Sequence, residues 1–177
     1  MKNQRGVGMV EVLVSLLILA IAVMGFVALQ VRAIQASQDA LTKTQAMHFM
    51  QSISESIRIN RLAKSQYMTS LNRYALADTK PTSSKDCAKT ACSTAEFAGF
   101  EAIDIASQAN AFGIQMGLAT CPGISTATED NLKRLCIFSV WEGTKLSGST
   151  DDLDFSRCMD DAGHYVKSSN CLMMETY

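Results

Sequence analysis

The chain is short of several things, and each shortage removes a class of function. It has 2 histidines, His48 and His164. Neither sits in a recognisable nucleophile context, so a Ser-His-Asp hydrolase is unsupported. A lone His48 on a predicted helix reads as a surface or boundary residue rather than a ligand. Proline is equally scarce. It has 2, and none stands before Pro81, so nothing in the N-terminal region forces a helix to break. Cationic excess is missing too: 16 basic residues face 17 acidic ones, a net charge of −1. That is no electrostatic footprint for nucleic acid. There is no internal repeat and no low-complexity tract. Finally, no charged residue lies between Val12 and Leu29, and no cysteine precedes Cys87.

What is present begins with that uncharged run. From Val7 to Leu29 the only strongly polar residues are Glu11 and Ser15. Val12 to Leu29 as a helix would span about 27 Å, nearly a hydrocarbon core of about 30 Å. A secretory signal peptide has a shorter apolar region closed by a small-residue cleavage site. Here the apolar, helix-forming pattern runs on through FVALQVRAIQAS. Lys2 and Arg5 precede the run, which fits a cytoplasmic start. Glu11 is the anomaly. A charge at a bilayer centre costs about 2.5–3.5 kcal/mol, and less towards the interface. It could snorkel to the surface, or be held by a polar group of its own chain. An intramembrane carboxylate also raises the question of a partner.

The flanking residues supply one. In RGVGMVE, Gly6 follows the basic Arg5, and Glu11 falls five residues after Gly6. This resembles the prepilin leader of the type IV pilin family. The resemblance implies that a prepilin peptidase cuts between Gly6 and Val7 and methylates Val7 as the new N-terminus. Val7 stands where the family usually has Phe. Glu11 and Val7 are four residues apart and share a helix face. The resemblance implies that Glu11 pairs with the Val7 amine of a neighbouring subunit as subunits stack. Loss of Lys2 and Arg5 with the leader leaves 14 basic and 17 acidic residues, net −3.

The stretch GMVEVLVSLLILAIAVMGFVALQVRAIQAS is similar to minor pilins of the PilV type, the type IV pilus modification proteins. Many major pilins carry a helix-breaking proline in this region. CAKTACSTAEFAGFEAIDI, CIFSVWEG and CLMMETY carry a weaker likeness. The pseudopilins of type II secretion share the leader and helix, so that branch stays open.

Past the apolar run, Val31, Ile34, Leu41, Met47, Met50, Ile53 and Ile57 recur at helical spacings on a polar background. One helix from about Val7 to about Asn60 follows, with Gly25 as its weak point. Arg58, Arg61, Lys64 and Arg73 gather at its end. They read as a solvated helix terminus, with DNA capture as the alternative. A short helix is expected from Arg61 to Leu76, then a turn-rich DTKPTSSKDC. Ser93 with Glu96 forms a capping-box pattern. The periodic Phe97, Phe100, Ile103 and Phe112 predict a helix over about 94–110. Leu135–Trp141 reads as a strand, as do His164–Lys167 and Cys171–Tyr177.

Six cysteines, Cys87, Cys92, Cys121, Cys136, Cys158 and Cys171, lie in this second part. An even number there argues for disulfides in an oxidising periplasm. Proximity favours Cys87–Cys92, Cys121–Cys136 and Cys158–Cys171. Zinc would want Cys-x-x-Cys spacing or nearby His, and neither is present. In DDLDFSRCMDD, Asp152, Asp154 and Ser156 have the spacing of the first ligands of a calcium loop. Arg157 and Gly163 then replace its Gly and closing Glu, so a solvated loop is the better reading.

The expectation is an α+β, type IV pilin-like fold: a long N-terminal helix packed on a small antiparallel sheet, with disulfide-closed loops. Residues 1–6 are the leader, 7–29 the transmembrane half of the helix and 30–60 its amphipathic half. Residues 61–177 form a periplasmic head. No enzyme activity, cofactor or metal is implied. The resemblance implies a minor pilin that primes pilus assembly, in a tip complex with other minor pilins and the major pilin. It would rest in the inner membrane beside the assembly machinery and then enter the extracellular pilus. The alternatives are a secretion pseudopilin and a tip adhesin or DNA-binding subunit.

Overall fold

The computed structural model describes residues 8–83, 85–123 and 134–176. Gly6 and Val7, the expected cleavage and methylation positions, lie outside them. The first element is a single helix, α1 (Met9–Ile59). It runs unbroken through Gly25, where an added Cβ would meet nothing within 4 Å. The chain divides into two compact units inside this helix, Met1–Leu41 and Thr42–Tyr177. Every described residue of the first unit is exposed.

In the second unit, α1 buries Ala46, Phe49, Met50, Ile53 and Ile57. The expected stripe is therefore right at Met50, Ile53 and Ile57 but not at Met47, which is 53% exposed. The packed face instead runs through Ala46 and Phe49, one helical row to the side. Val31, Ile34 and Leu41 are exposed within the first unit. A 3-10 turn (Arg61–Ala63) leads into α2 (Lys64–Leu76). Helix α3 (Thr94–Ala111) opens on the expected capping box. Ser93 Oγ accepts from Glu96 N–H at 3.3 Å, and the Glu96 carboxylate accepts from Ser93 N–H at 2.8 Å. Those bonds, with Lys85 at 3.0 Å, hold the Glu96 carboxyl down at about 2.

The buried face of α3 is not the aromatic one. Phe97 and Phe112 are 42% and 55% exposed, while Ala98, Ala102, Ile103, Ala106 and Ala109 are buried. Small side chains let α3 lie close against α2, a spacing a phenylalanine row would prevent.

Among the described residues five strands follow: β1 (Gln115–Thr120), β2 (Leu135–Val140), β3 (Ser147–Gly148), β4 (Leu153–Asp154) and β5 (Cys171–Thr176). The main sheet has the order β1-β2-β5 and is antiparallel throughout, with Gly117 opposite Phe138 and Phe138 opposite Met173. β3 and β4 pair separately. The strand expected at His164–Lys167 is absent. Tyr165 makes one isolated bridge to Met159, and the surrounding turn is built on Asp160. β1 was not foreseen at all.

β2 is buried along its whole length because both sheet faces are covered. Leu135 and Ile137 join the helix-side core with Met50, Ile53, Tyr67, Leu71 and Leu118. Cys136, Phe138 and Val140 join the opposite core with Leu146, Leu153, Cys158 and Met159. Phe155 stacks on Phe138 there, with ring centroids 4.3 Å apart. Gly117 faces this second core. A Cβ on it would come within 2.5 Å of Leu153 Cδ2 and 3.0 Å of Leu146 Cδ1.

Candidate assembly interface

Helix α1 is long and apolar enough to cross a membrane. Every large apolar side chain from Met9 to Leu29 is exposed. A contiguous apolar surface of this size demands lipid or protein to cover it. Backbone hydrogen bonding inside the helix is what permits that covering to be water-free. Glu11 sits in the first turn. Its N–H donates to Gly8 C=O at 2.9 Å. One turn on, Ser15 Oγ donates to Glu11 C=O at 2.7 Å, so the serine is satisfied within the helix. The Glu11 carboxylate has no ion-pair partner among the described residues. A carboxylate is electrostatically favoured at a helix N-terminus, where backbone N–H groups stand unpaired. It is the single charge on an otherwise apolar surface, placed at one end.

The other candidate residues do not gather into a site. Arg58 pairs with Glu55 at 2.7 Å on the surface. Arg61 and Lys64 line a groove of about 1290 Å³ that Asp151, Asp152, Asp154 and Asp161 line as well. A lining of mixed charge does not make a phosphate-binding stripe. Arg73 lies in the last turn of α2, where a cation suits the helix dipole. His48 meets Phe49 edge-on at 5.8 Å.

The acidic loop organises itself. Asp154 accepts from Ser156 N–H and Ser147 Oγ, each at 2.9 Å. Those bonds, the Ser156 backbone first, hold its carboxyl below the usual range. Asp160 accepts from Ala162 and His164 N–H at 3.0 and 2.8 Å, and its carboxyl is lowered chiefly by the His164 backbone. Among the described residues no three His, Cys, Asp or Glu side chains are placed to hold a metal ion.

All six cysteines are paired: Cys87–Cys92, Cys121–Cys136 and Cys158–Cys171. These are the pairs that proximity favours. The first closes the loop before α3. The second ties the end of β1 to β2, and the third anchors the segment before β5.

Sequence reasoning missed the polar groups that fix the second unit. Asn72 is buried on α2, and its amide meets β1 as a strand would. Its Nδ2 donates to Leu118 C=O and Thr150 C=O, and its Oδ1 accepts from Leu118 N–H, each at 2.8 Å. Gln115 donates to Ala75 C=O at 2.6 Å and accepts from Leu146 N–H at 3.0 Å. Tyr67, fully buried, donates to Glu101 and joins α2 to α3. Burial first, and then Glu101, push its hydroxyl well above the ordinary value. No local pattern marks such residues. Only the fold brings residue 72 beside residue 118.

Comparison with known families adds two findings. Residues 28–103 match the family model described as Tt1218-like, type IV pilin Tt1218. Residues 1–27 match the prokaryotic N-terminal methylation motif. No curated protein and no solved structure matches the chain.

Proposed function

We propose that the chain, whose residues 28–103 match a type IV pilin family model behind a match to the N-terminal methylation motif, is a minor pilin, processed and then consumed in pilus assembly. The observation that carries this reading is Glu11: one carboxylate in the first turn of a helix whose large apolar side chains from Met9 to Leu29 are all exposed. Prepilin peptidase cleaves after Gly6 and methylates Val7. The new amine stands four residues before Glu11 in the sequence of its own chain, the spacing of one helical turn. Stacked against a neighbour, each carboxylate meets the next chain's amine. The pairing fixes axial register, because a one-turn slip leaves both charges unpaired in an apolar surrounding.

Before assembly the N-terminal segment of α1 holds the protein in the inner membrane, and the disulfide-bonded unit lies in the periplasm. Within the fibre, neighbouring helices replace lipid as the covering of that surface. The head, with its disulfide-closed loops, selects the neighbours. Its place is a priming complex with other minor pilins, at the fibre tip. Intact mass of the membrane-extracted chain, combined with its recovery in sheared fibres, tests the reading. A mass beginning at methylated Val7 and presence in the fibre are expected. A mass retaining residues 1–6 in peptidase-competent cells overturns it. Loss of exoprotein release with fibres intact, on deletion, would assign the chain to a secretion pseudopilus instead.

A further inference from the structure

The two edges of the main sheet are treated differently. Trp141 N–H donates to Asn170 C=O at 3.0 Å, which fixes the phase of the β2–β5 ladder. Residues 172, 174 and 176 therefore bond to β2, and the N–H and C=O groups of Cys171, Met173 and Glu175 point away from it. By the same alternation Met116, Leu118 and Thr120 point outward from β1. At β1 the outward pair of Leu118 is closed by Asn72, and Gln115 braces the same strand. At β5 the closure is slight. Met173 N–H donates to Tyr165 Oη at 3.1 Å, and Tyr165 is 52% exposed. No other outward backbone group of Cys171, Met173 or Glu175 has a hydrogen-bond partner among the described residues.

An open strand edge is a template for another strand. Natural sheets blunt such edges with lysine, proline or bulges, and CLMMET has none of these. Its only charge, Glu175, is already paired with Arg134 at 3.1 Å. Leu172, Met173 and Met174 are half-buried, and methionine adapts readily to a partner's shape.

We propose that the β5 edge is a binding site for an extended segment of a different polypeptide chain, which adds as a fourth strand and displaces Tyr165 from Met173. Outward N–H and C=O groups repeating at every second residue match the spacing of another extended backbone. Alternate residues of the added strand fall beside Met173 and beside Leu172 and Met174, so both of its faces are apolar there. A second copy joined head to tail would have to offer its β1 edge, where the Asn72 amide already takes the central outward pair, that of Leu118. The site belongs to the second unit alone and does not depend on the Glu11 pairing.

The test is a photo-crosslinking amino acid in place of Val166, beside Tyr165, in the full chain in its native membrane. Glu175→Pro removes one outward donor and leaves the β2 ladder intact, since proline is tolerated where the N–H faces outward. Glu175→Ala controls for the side chain, and non-reducing peptide mapping confirms the three disulfides in each variant. The proposal expects an adduct with a different chain, mapped to an extended apolar segment. Its yield should fall roughly tenfold with Glu175→Pro, one hydrogen bond and a steric block, and persist with Glu175→Ala. Three outcomes overturn it: no adduct, adducts only between copies of this chain, or an adduct indifferent to Glu175→Pro.

Discussion

Asn72 offers the sharpest test of how the head is held. Asn72→Ala removes three hydrogen bonds at once, each 2.8 Å long. The surroundings decide the cost. Leu118 is fully buried, so its N–H and C=O lose their partner with no water to replace it. An orphaned buried group costs about 1–3 kcal/mol, the donor being dearer than the acceptor. Thr150 is half-buried and recovers solvent, so it adds little. The sum is about 3 kcal/mol, or roughly 10 °C in Tm for a unit of this size. Asn72→Asp should do worse at neutral pH. It keeps the acceptor for Leu118 N–H but aims a carboxylate at two carbonyl oxygens. Burial and those oxygens raise the folded-state pKa above the unfolded value of about 3.9. The penalty is therefore absent below that value and grows as pH rises through the window above it. Thermal unfolding of the detergent-solubilised, oxidised chain by near-UV circular dichroism measures both. A loss under about 2 °C for Asn72→Ala, or an Asn72→Asp variant least stable at low pH, would refute the closed-edge account.

Other consequences are as direct. Gly117→Val should cost about 1–3 kcal/mol by overpacking, since even a Cβ presses on Leu153 and Leu146; the same unfolding assay reads it. Replacing Cys121 and Cys136 together by alanine opens a loop with a sequence separation of 15. The expected loss is about 3 kcal/mol, and the double variant should be the more protease-sensitive chain under oxidising conditions. Glu96 has a folded pKa of about 2 against an ordinary 4.5. Its capping contribution is thus fully present above about 4.5 and lost as pH falls towards 2, a dependence that Glu96→Gln should abolish in an acid titration of α3 amide exchange.

How much of this was legible depended on whether the signal was local. α1 announced itself through an unbroken apolar run without proline. The capping box of α3 was visible as Ser93 and Glu96, and β2 as a run of branched and aromatic residues. β1 was hidden because QMGLAT carries a glycine and an alanine where a strand usually advertises branched residues. Gly117 is there because Leu146 and Leu153 occupy the space, a fact written far away in sequence. The phenylalanines of α3 misled for the same reason, since the close contact with α2 selects alanine. At the N-terminus Glu11 stood out in the sequence as the only charge in its run, and the structure adds that the surface around it is bare. Asn72, Gln115 and the open edge of β5 had no sequence signal, because each depends on which strand lies beside which.

The central claim is that Glu11 is an assembly charge, and Glu11→Gln tests it most directly. The substitution keeps size and helix propensity and removes the charge. In cells lacking the wild-type chain, the variant's level and processing in the inner membrane are compared with the number of surface fibres. The account predicts a stable chain, cut after Gly6, with fibres lost, because the neighbour's Val7 amine is left unpaired in an apolar core. Normal fibre numbers with a stable, processed Glu11→Gln chain would contradict it and leave Glu11 as a residue that merely snorkels to the membrane surface.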